Sequence, residues 1–122
     1  MSGQFNNTTN YFSMTKNSDI QVISASGEFV YQALPNIKKQ FYNIYQQKEP
    51  LILDLSQVMQ IDSTGFGFIL NIIKQLANPT DLILVVSDEF ILELFMITKV
   101  DKLVKIVSSL DLALLSLESE EK

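Results

Sequence analysis

The stretch that decides the fold is Leu51–Leu70, LILDLSQVMQIDSTGFGFIL. Its first five residues, Leu51–Leu55, are almost entirely apolar, which is typical of a buried strand. After a short loop, the turn Asp62–Gly65 leads into a second apolar run that has the spacing of a helix. Hydroxyl groups at a helix start either cap free backbone N–H groups or carry a phosphate, which the helix dipole stabilises. The stretch therefore predicts a strand, a turn and a helix, with two hydroxyls placed for either role.

Composition limits the chemistry that the rest of the chain can perform. The 122 residues have the length of one domain, and 47% hydrophobic with 19% charged residues indicates a globular protein. Cysteine and histidine are both absent, which excludes disulfides and removes the commonest general base and metal ligand. The nine basic residues are all lysines and the net charge is −5, which argues against nucleic acid or an anionic membrane as a partner.

The chain carries no sign of a membrane span or a secretion signal. No apolar run reaches the roughly 18 residues of a spanning helix, and the polar start MSGQFNNTTN lacks the pattern of a signal peptide. We therefore expect a cytoplasmic protein, and nothing in the sequence gives a reason to expect a bound metal or cofactor.

The hydrophobic pattern predicts strands that alternate with helices. The predicted strands are Tyr11–Lys16, Ile20–Ala25, Leu51–Leu55, Leu82–Val86 and Val104–Val107. The predicted helices are Ala33–Gln47, Thr64–Ala77, Glu89–Ile97 and Leu110–Leu117. Because the first two strands form a hairpin, we predict an α/β fold with one mixed sheet of four to five strands. Residues 1–10 are expected to be a flexible segment, 11–117 the folded domain and 118–122 an acidic tail.

Few residues could support catalysis. Asp54 and Asp62 flank one loop and could act as an acid–base pair, but their positions in an apolar strand and at a helix cap favour structural roles. Gly65 and Gly67 resemble part of a dinucleotide-binding loop, yet the third glycine and the downstream acidic residue are missing. An enzyme or nucleotide-binding domain is therefore the least favoured interpretation.

Three motifs resemble those of one family. The segment DLSQVMQIDSTGFGFIL is similar to the signature of the anti-sigma factor antagonists of the STAS family, in which a strand ending in Asp-Leu precedes an Asp-Ser-Ser/Thr/Ala-Gly-Leu-Gly turn. Leu94–Val100 resembles the family's Leu-Phe-x-x-Thr/Ser-Gly-Leu element, and Ser26–Phe29 its Gly-Glu-Leu/Ile-Asp element. The order and spacing agree over residues 11–117, which implies a single STAS domain with helices packed mainly on one face of its sheet. Two positions depart from the pattern, where Val30 replaces an aspartate and Lys99 a glycine.

The resemblance implies a switch of binding partners that is controlled by phosphorylation of Ser63. In that family, an anti-sigma factor with the histidine-kinase-like ATPase fold binds the unphosphorylated antagonist and releases its sigma factor. The same partner acts as a serine kinase, and a metal-dependent serine/threonine phosphatase restores the serine. The protein itself would then be no enzyme and would need no cofactor.

The predicted partner-binding residues surround this serine. They are Glu28, Asp62, Ser63, Thr64, Gly65, Phe66 and Phe68. Thr64 is an alternative phosphoacceptor, and Asp62 either caps the helix or orients the serine hydroxyl. At least one of Phe66 and Phe68 is expected at the surface as an anchor, with core packing as the alternative for each. Glu28 is expected at the rim of the docking surface or as a solvated side chain.

A different STAS system is the main alternative. The chain could be a scaffold subunit of a lipid-transport or stress-signalling complex, docked permanently and without phosphorylation. The intact Asp62–Gly65 turn favours the phosphorylated switch, whereas Val30 and Lys99 leave room for the scaffold.

Overall fold

The computed structural model describes residues 9–46, 49–76 and 82–120, without the side chains of 118–120. Its strands are β1 Phe12–Asn17, β2 Ile20–Phe29, β3 Leu51–Ile61, β4 Leu82–Val85 and β5 Lys105–Val107. Its α-helices are α1 Leu34–Ile44, α2 Ser63–Leu76, α3 Glu89–Ile97 and α4 Leu110–Glu120. Two single 3₁₀ turns, Tyr31–Ala33 and Val100–Lys102, precede α1 and β5. Most of the segment predicted to be flexible, residues 1–8, and the last two residues of the predicted tail lie outside the described residues.

The five strands form one sheet in the order β1-β2-β3-β4-β5. β1 and β2 are an antiparallel hairpin, whereas β2, β3, β4 and β5 run parallel to one another. Parallel neighbours require crossover connections, and the helices that follow the strands supply them. The predicted mixed sheet is therefore confirmed, with five strands.

The helices are divided unequally between the two faces of the sheet. One face carries the larger core, in which strand residues such as Leu53 and Leu84 pack with residues of α1, α2 and α3. On the other face, Ala113 and Leu117 of α4 pack against a smaller apolar group that includes Ile52. The prediction that the helices lie mainly on one face is confirmed, and α4 is the exception. In the described part of the chain, no helix is long and apolar enough to cross a membrane.

β2 and β3 are both longer than the sequence predicts. We predicted that β2 ends at Ala25, but that prediction is wrong, because the strand continues to Phe29 and pairs there with Ile61 of β3. Two register shifts accommodate the polar stretch, and Gly27 adopts a positive φ of 93° beside the second one. Polar residues and a glycine therefore mark an irregularity within the strand and not its end.

The long strands carry the Asp62 turn beyond the rest of the sheet. β4 pairs with β3 only as far as Asp54, opposite Val85. From there to Ile61, β3 is paired with β2 alone, so that β2 and β3 form a two-stranded extension. α2 starts at Ser63, one residue earlier than predicted, directly after this extension.

Candidate functional site

Asp62 caps α2 through one of its carboxylate oxygens. Its Oδ1 accepts hydrogen bonds from the backbone N–H of Gly65, at 2.9 Å, and from the Thr64 hydroxyl, at 2.7 Å. A carboxylate in this position satisfies a backbone donor that the helix itself leaves free. Of the two roles considered for Asp62, capping is the one that the geometry supports.

The other oxygen of Asp62 binds a different part of the chain. Its Oδ2 accepts from the backbone N–H of Tyr31, at 2.9 Å, and the N–H of Asp62 itself donates to the Phe29 carbonyl, at 3.1 Å. Asp62 thereby joins the end of β2, the following 3₁₀ turn and the start of α2. Tyr31 is 31 residues away in sequence, so no local pattern could have indicated this contact.

These hydrogen bonds hold the Asp62 carboxyl in its charged form. The pKa of Asp62 lies below its ordinary value of 3.8, first because of the hydrogen bond from the Gly65 N–H and second because of the Thr64 hydroxyl. Desolvation opposes the shift, and the Tyr31 N–H adds to it. At neutral pH the carboxyl of Asp62 is therefore ionised.

The hydroxyl groups of Ser63 and Thr64 differ in whether they already form a hydrogen bond. The Thr64 hydroxyl donates to Asp62, whereas Ser63 is exposed at the first position of α2. Within the described part of the chain, no group forms a hydrogen bond with the Ser63 hydroxyl. Ser63 is thus the hydroxyl of this turn that an incoming enzyme can reach without breaking an internal bond.

The two glycines that follow serve different purposes. Gly65 is buried, and a Cβ built on it would lie 2.7 Å from the Phe29 carbonyl carbon and closer still to its oxygen. Gly67 is exposed, and a Cβ there would meet no atom within 4 Å. Gly65 is therefore required for the close approach of α2 to β2, whereas the fold places no such demand on Gly67.

The two phenylalanines of α2 separate into a core residue and a surface residue. Phe68 is only 5% exposed and packs edge-on against Phe41, with ring centroids 6.3 Å apart. This burial corrects its place among the expected partner-binding residues, since its ring fills the core. Phe66 is half-buried, and its ring lies 5.2 Å from that of Phe95 in α3. Of the two rings, Phe66 is the one with surface left for a partner.

Glu28 lies on the same end of the sheet, at the surface. Its side chain is exposed and lines a shallow groove of about 320 Å³ together with Tyr11, Val30 and Gln32. The next residue, Phe29, contacts Asp62 through its carbonyl, so Glu28 lies near the site but forms no described hydrogen bond with it.

Further apolar side chains near the site were missed by the sequence analysis. Met59, on the two-stranded extension, is 82% exposed, and Phe90 at the start of α3 is 59% exposed. Both line a notch of about 230 Å³ between the end of β3 and α3. Residue type gave no signal for either position, because both side chains are apolar and Met59 directly follows the buried Val58. Among the described residues, no group of three or more carboxylate, histidine or cysteine side chains could hold a metal ion.

The comparison with protein families decides the family. The model of the STAS domain matches residues 11–113. The chain belongs to the STAS domain family. Its membership confirms the resemblance carried by the three motifs, and the match covers all five strands of this STAS domain.

Solved structures share this fold. A Mycobacterium paratuberculosis anti-sigma factor antagonist superposes with a TM-score of 0.75 at 22% identity, covering 88% of this chain and 92% of the other. A Thermotoga maritima protein assigned to the same class gives a TM-score of 0.73 at 24% identity, covering 88% and 94%. The phosphorylated form of the Bacillus cell fate determinant SpoIIAA gives 0.61 at 15% identity, covering 87% and 98%. Comparison with curated protein sequences gives no match.

The two departures from the family pattern, Lys99 and Val30, differ in backbone conformation. Lys99 follows α3 with φ at 65°, in the left-handed region where glycine is favoured. The backbone at this position has a conformation typical of glycine, although this chain has a lysine there. Val30 is extended and precedes the Tyr31 turn without a capping side chain.

Proposed function

We propose that this STAS domain is an anti-sigma factor antagonist whose binding to its partner is controlled by phosphorylation of Ser63. The observation that carries the proposal is the free, exposed hydroxyl of Ser63 at the first position of α2, beside a threonine whose hydroxyl is occupied. The mycobacterial structure of the same fold is an anti-sigma factor antagonist, and SpoIIAA exists in a phosphorylated form.

The position of Ser63 suits a phosphate that the fold can tolerate. The positive end of the helix dipole favours an anion there. A phosphate adds a charge of about −1.5 to −2 and three acceptor oxygens. The domain would therefore remain folded while the chemistry of its surface changed.

The phosphate would act on the partner through charge and size. It would lie beside the half-buried Phe66 and the charged Asp62, and the chain already carries a net charge of −5. An apolar or acidic partner surface that fits the unphosphorylated site would then meet a hydrated dianion, which it would have to desolvate. We expect docking to weaken as a result.

The proposed partner is a protein of the histidine-kinase-like ATPase fold that is both anti-sigma factor and serine kinase. Binding of the unphosphorylated domain would free the sigma factor, and transfer of phosphate from ATP to Ser63 would end the complex. A metal-dependent serine/threonine phosphatase would restore the serine. In this cycle the chain is a ligand and a substrate in the cytoplasm, and it catalyses no step.

The exposed apolar side chains favour one alternative. Met59 and Phe90 offer apolar surface beyond the serine, as a permanently docked subunit would require. A STAS scaffold in a lipid-transport or stress-signalling complex is therefore the second candidate.

The deciding experiment combines the purified protein, its cognate ATPase-fold partner and ATP, and maps phosphate by mass spectrometry. We expect phosphate on Ser63 and dissociation of the complex. Ser63→Ala should bind and remain unlabelled, while the matched variant Thr64→Val should be labelled as the wild type is. Phosphate on Thr64 would contradict the assignment of the serine, and stable binding without phosphate transfer would favour the scaffold.

A further inference from the structure

The Asp62 carboxylate divides its hydrogen bonds between two elements. Oδ1 accepts two bonds from residues of its own helix, Thr64 and Gly65, whereas Oδ2 accepts one bond from the backbone of Tyr31. The residue that follows Asp62 is Ser63. One side chain thus connects the immediate neighbour of the proposed phosphorylation site with a turn that lies elsewhere in the sequence.

We propose that Asp62 is a relay: phosphorylation of Ser63 weakens the hydrogen bond between Asp62 Oδ2 and the Tyr31 N–H and loosens the turn Tyr31–Ala33. The proposal rests on the proposed function, because Ser63 must carry the phosphate. The relay gives the switch a second surface, because the turn Tyr31–Ala33 loosens when Ser63 is phosphorylated.

The physical cause is repulsion between two adjacent anions. A phosphate on Ser63 and the carboxylate of Asp62 carry charge of the same sign on neighbouring residues, so the phosphate displaces the carboxylate. The Oδ1 side is held by two donors within its own helix, whereas the Oδ2 side has a single donor. The bond to Tyr31 is therefore the one that gives way when the carboxylate is displaced.

Few contacts hold the turn in place. None of its three residues is buried, and Tyr31 is 67% exposed. Besides the bond to Asp62, the turn has two backbone hydrogen bonds, from the N–H of Ala33 to the Val30 carbonyl, at 2.9 Å, and from the N–H of Leu34 to the Tyr31 carbonyl. The neighbouring elements are anchored independently by the buried Phe29 and Ile37. Loosening can thus remain within the turn and leave the core packed.

The turn borders an apolar groove. Tyr31, Leu34, Pro35 and Lys38 line this groove of about 410 Å³. A change in the position of Tyr31 alters the shape of the groove. A partner that contacts both the serine and the turn would therefore detect phosphorylation at two places.

The test uses phosphoserine inserted during translation, so that no kinase is needed. It is placed at position 63 in one protein and at position 87 in a second. Ser87 is a matched control, because it is exposed and directly precedes Asp88, which caps α3 by accepting from the Ile91 N–H at 3.0 Å. We measure the amide hydrogen exchange rate of Tyr31 by NMR at one fixed pH.

Phosphoserine at 63 should raise the exchange rate of the Tyr31 amide by about fivefold or more, and phosphoserine at 87 should leave it unchanged. Asp62→Asn should raise that rate without any phosphate, since the amide offers one acceptor oxygen in place of two. In the Asp62→Asn protein, phosphoserine at 63 should not raise the Tyr31 exchange rate any further.

Two results would overturn the relay: an unchanged Tyr31 amide with phosphoserine at 63, or an equal increase from both positions. Either would leave the proposed function intact if kinase labelling of Ser63 still released the partner. Conversely, a Tyr31 response in a protein that no partner kinase labels would support the relay and contradict the proposed function.

Discussion

Gly65 of α2 lies with its backbone directly against the carbonyl group of Phe29 at the end of β2. A Cβ at residue 65 would approach the Phe29 carbonyl carbon to 2.7 Å, which real structures do not allow, so the helix would have to move. This contact fixes the distance between the start of α2 and the strand that precedes the Tyr31 turn.

Gly65→Ala should therefore destabilise the protein, by about 3 kcal/mol. Gly67→Ala is the matched control, because it makes the same change two residues later in open space. It should raise the free energy of unfolding by about 0.5–1 kcal/mol, since alanine favours helix. Urea unfolding of both variants measures the difference. Equal effects of the two substitutions would mean that the contact with Phe29 does not limit the helix position.

Ser63→Asp should weaken partner binding with little effect on the fold. A negative charge at the first position of a helix is compatible with the helix dipole, so the melting temperature should stay within about 2 °C of the wild type. The dissociation constant for the ATPase-fold partner should rise by about 5- to 150-fold. Calorimetric titration measures the binding, and Ser87→Asp, at the exposed serine before α3, should leave it unchanged. A large loss of melting temperature would instead assign a mainly structural role to the serine.

Acid should remove the stabilisation that Asp62 provides. Because hydrogen bonds hold its pKa below 3.8 in the folded protein, the ionised carboxylate favours the folded state. This contribution is complete above the ordinary pKa and is lost as the pH falls through the lowered value. The difference in free energy of unfolding between wild type and Asp62→Asn should therefore shrink from about pH 7 to about pH 2.5.

A second measurement tests why the pKa of Asp62 is lowered. Thr64→Val removes the hydroxyl that donates to Asp62, so the pKa of Asp62, followed by NMR titration, should move upward towards 3.8. An unchanged pKa would show that the threonine hydroxyl plays no part in holding the charge.

Lys99→Gly should stabilise the protein, because Lys99 occupies a left-handed backbone conformation that costs a residue with a side chain more than it costs glycine. We expect a gain of about 0.5–1 kcal/mol in the free energy of unfolding. Lys99→Ala removes the same charge without relieving the backbone and should give no gain. Equal gains from both substitutions would point to the charge, and not the backbone, as the cause.

The parts of the site that the sequence predicted are those formed by near neighbours. Asp62 as a helix cap, the turn and the start of α2 all lie within a few residues, and capping depends on such short spacings. The contact with Tyr31 depends on how β2 and β3 pair, which no local pattern contains. The apolar residues of α2 nearly encircle the helix, so periodicity could not separate the buried Phe68 from the half-buried Phe66.

The strand bounds were missed for a related reason. Polar residues and a glycine are typical of a strand end, but here they coincide with register shifts that keep β2 paired with β3. The sheet and its mixed direction followed correctly from the hydrophobic pattern, because burial of a strand is a property of its own sequence. The placement of the helices followed from the family resemblance.

The two-stranded extension that ends at Ile61 has a consequence for how such a domain can diversify. Beyond Asp54, β3 has no neighbour on the β4 side, so exposed residues such as Met59 can change without disturbing the packing between β3 and β4. Exposed positions on this extension can thus accept substitutions while the parallel part of the sheet keeps its packing. For protein engineering, the same separation makes the extension a place to build a new binding surface on the domain.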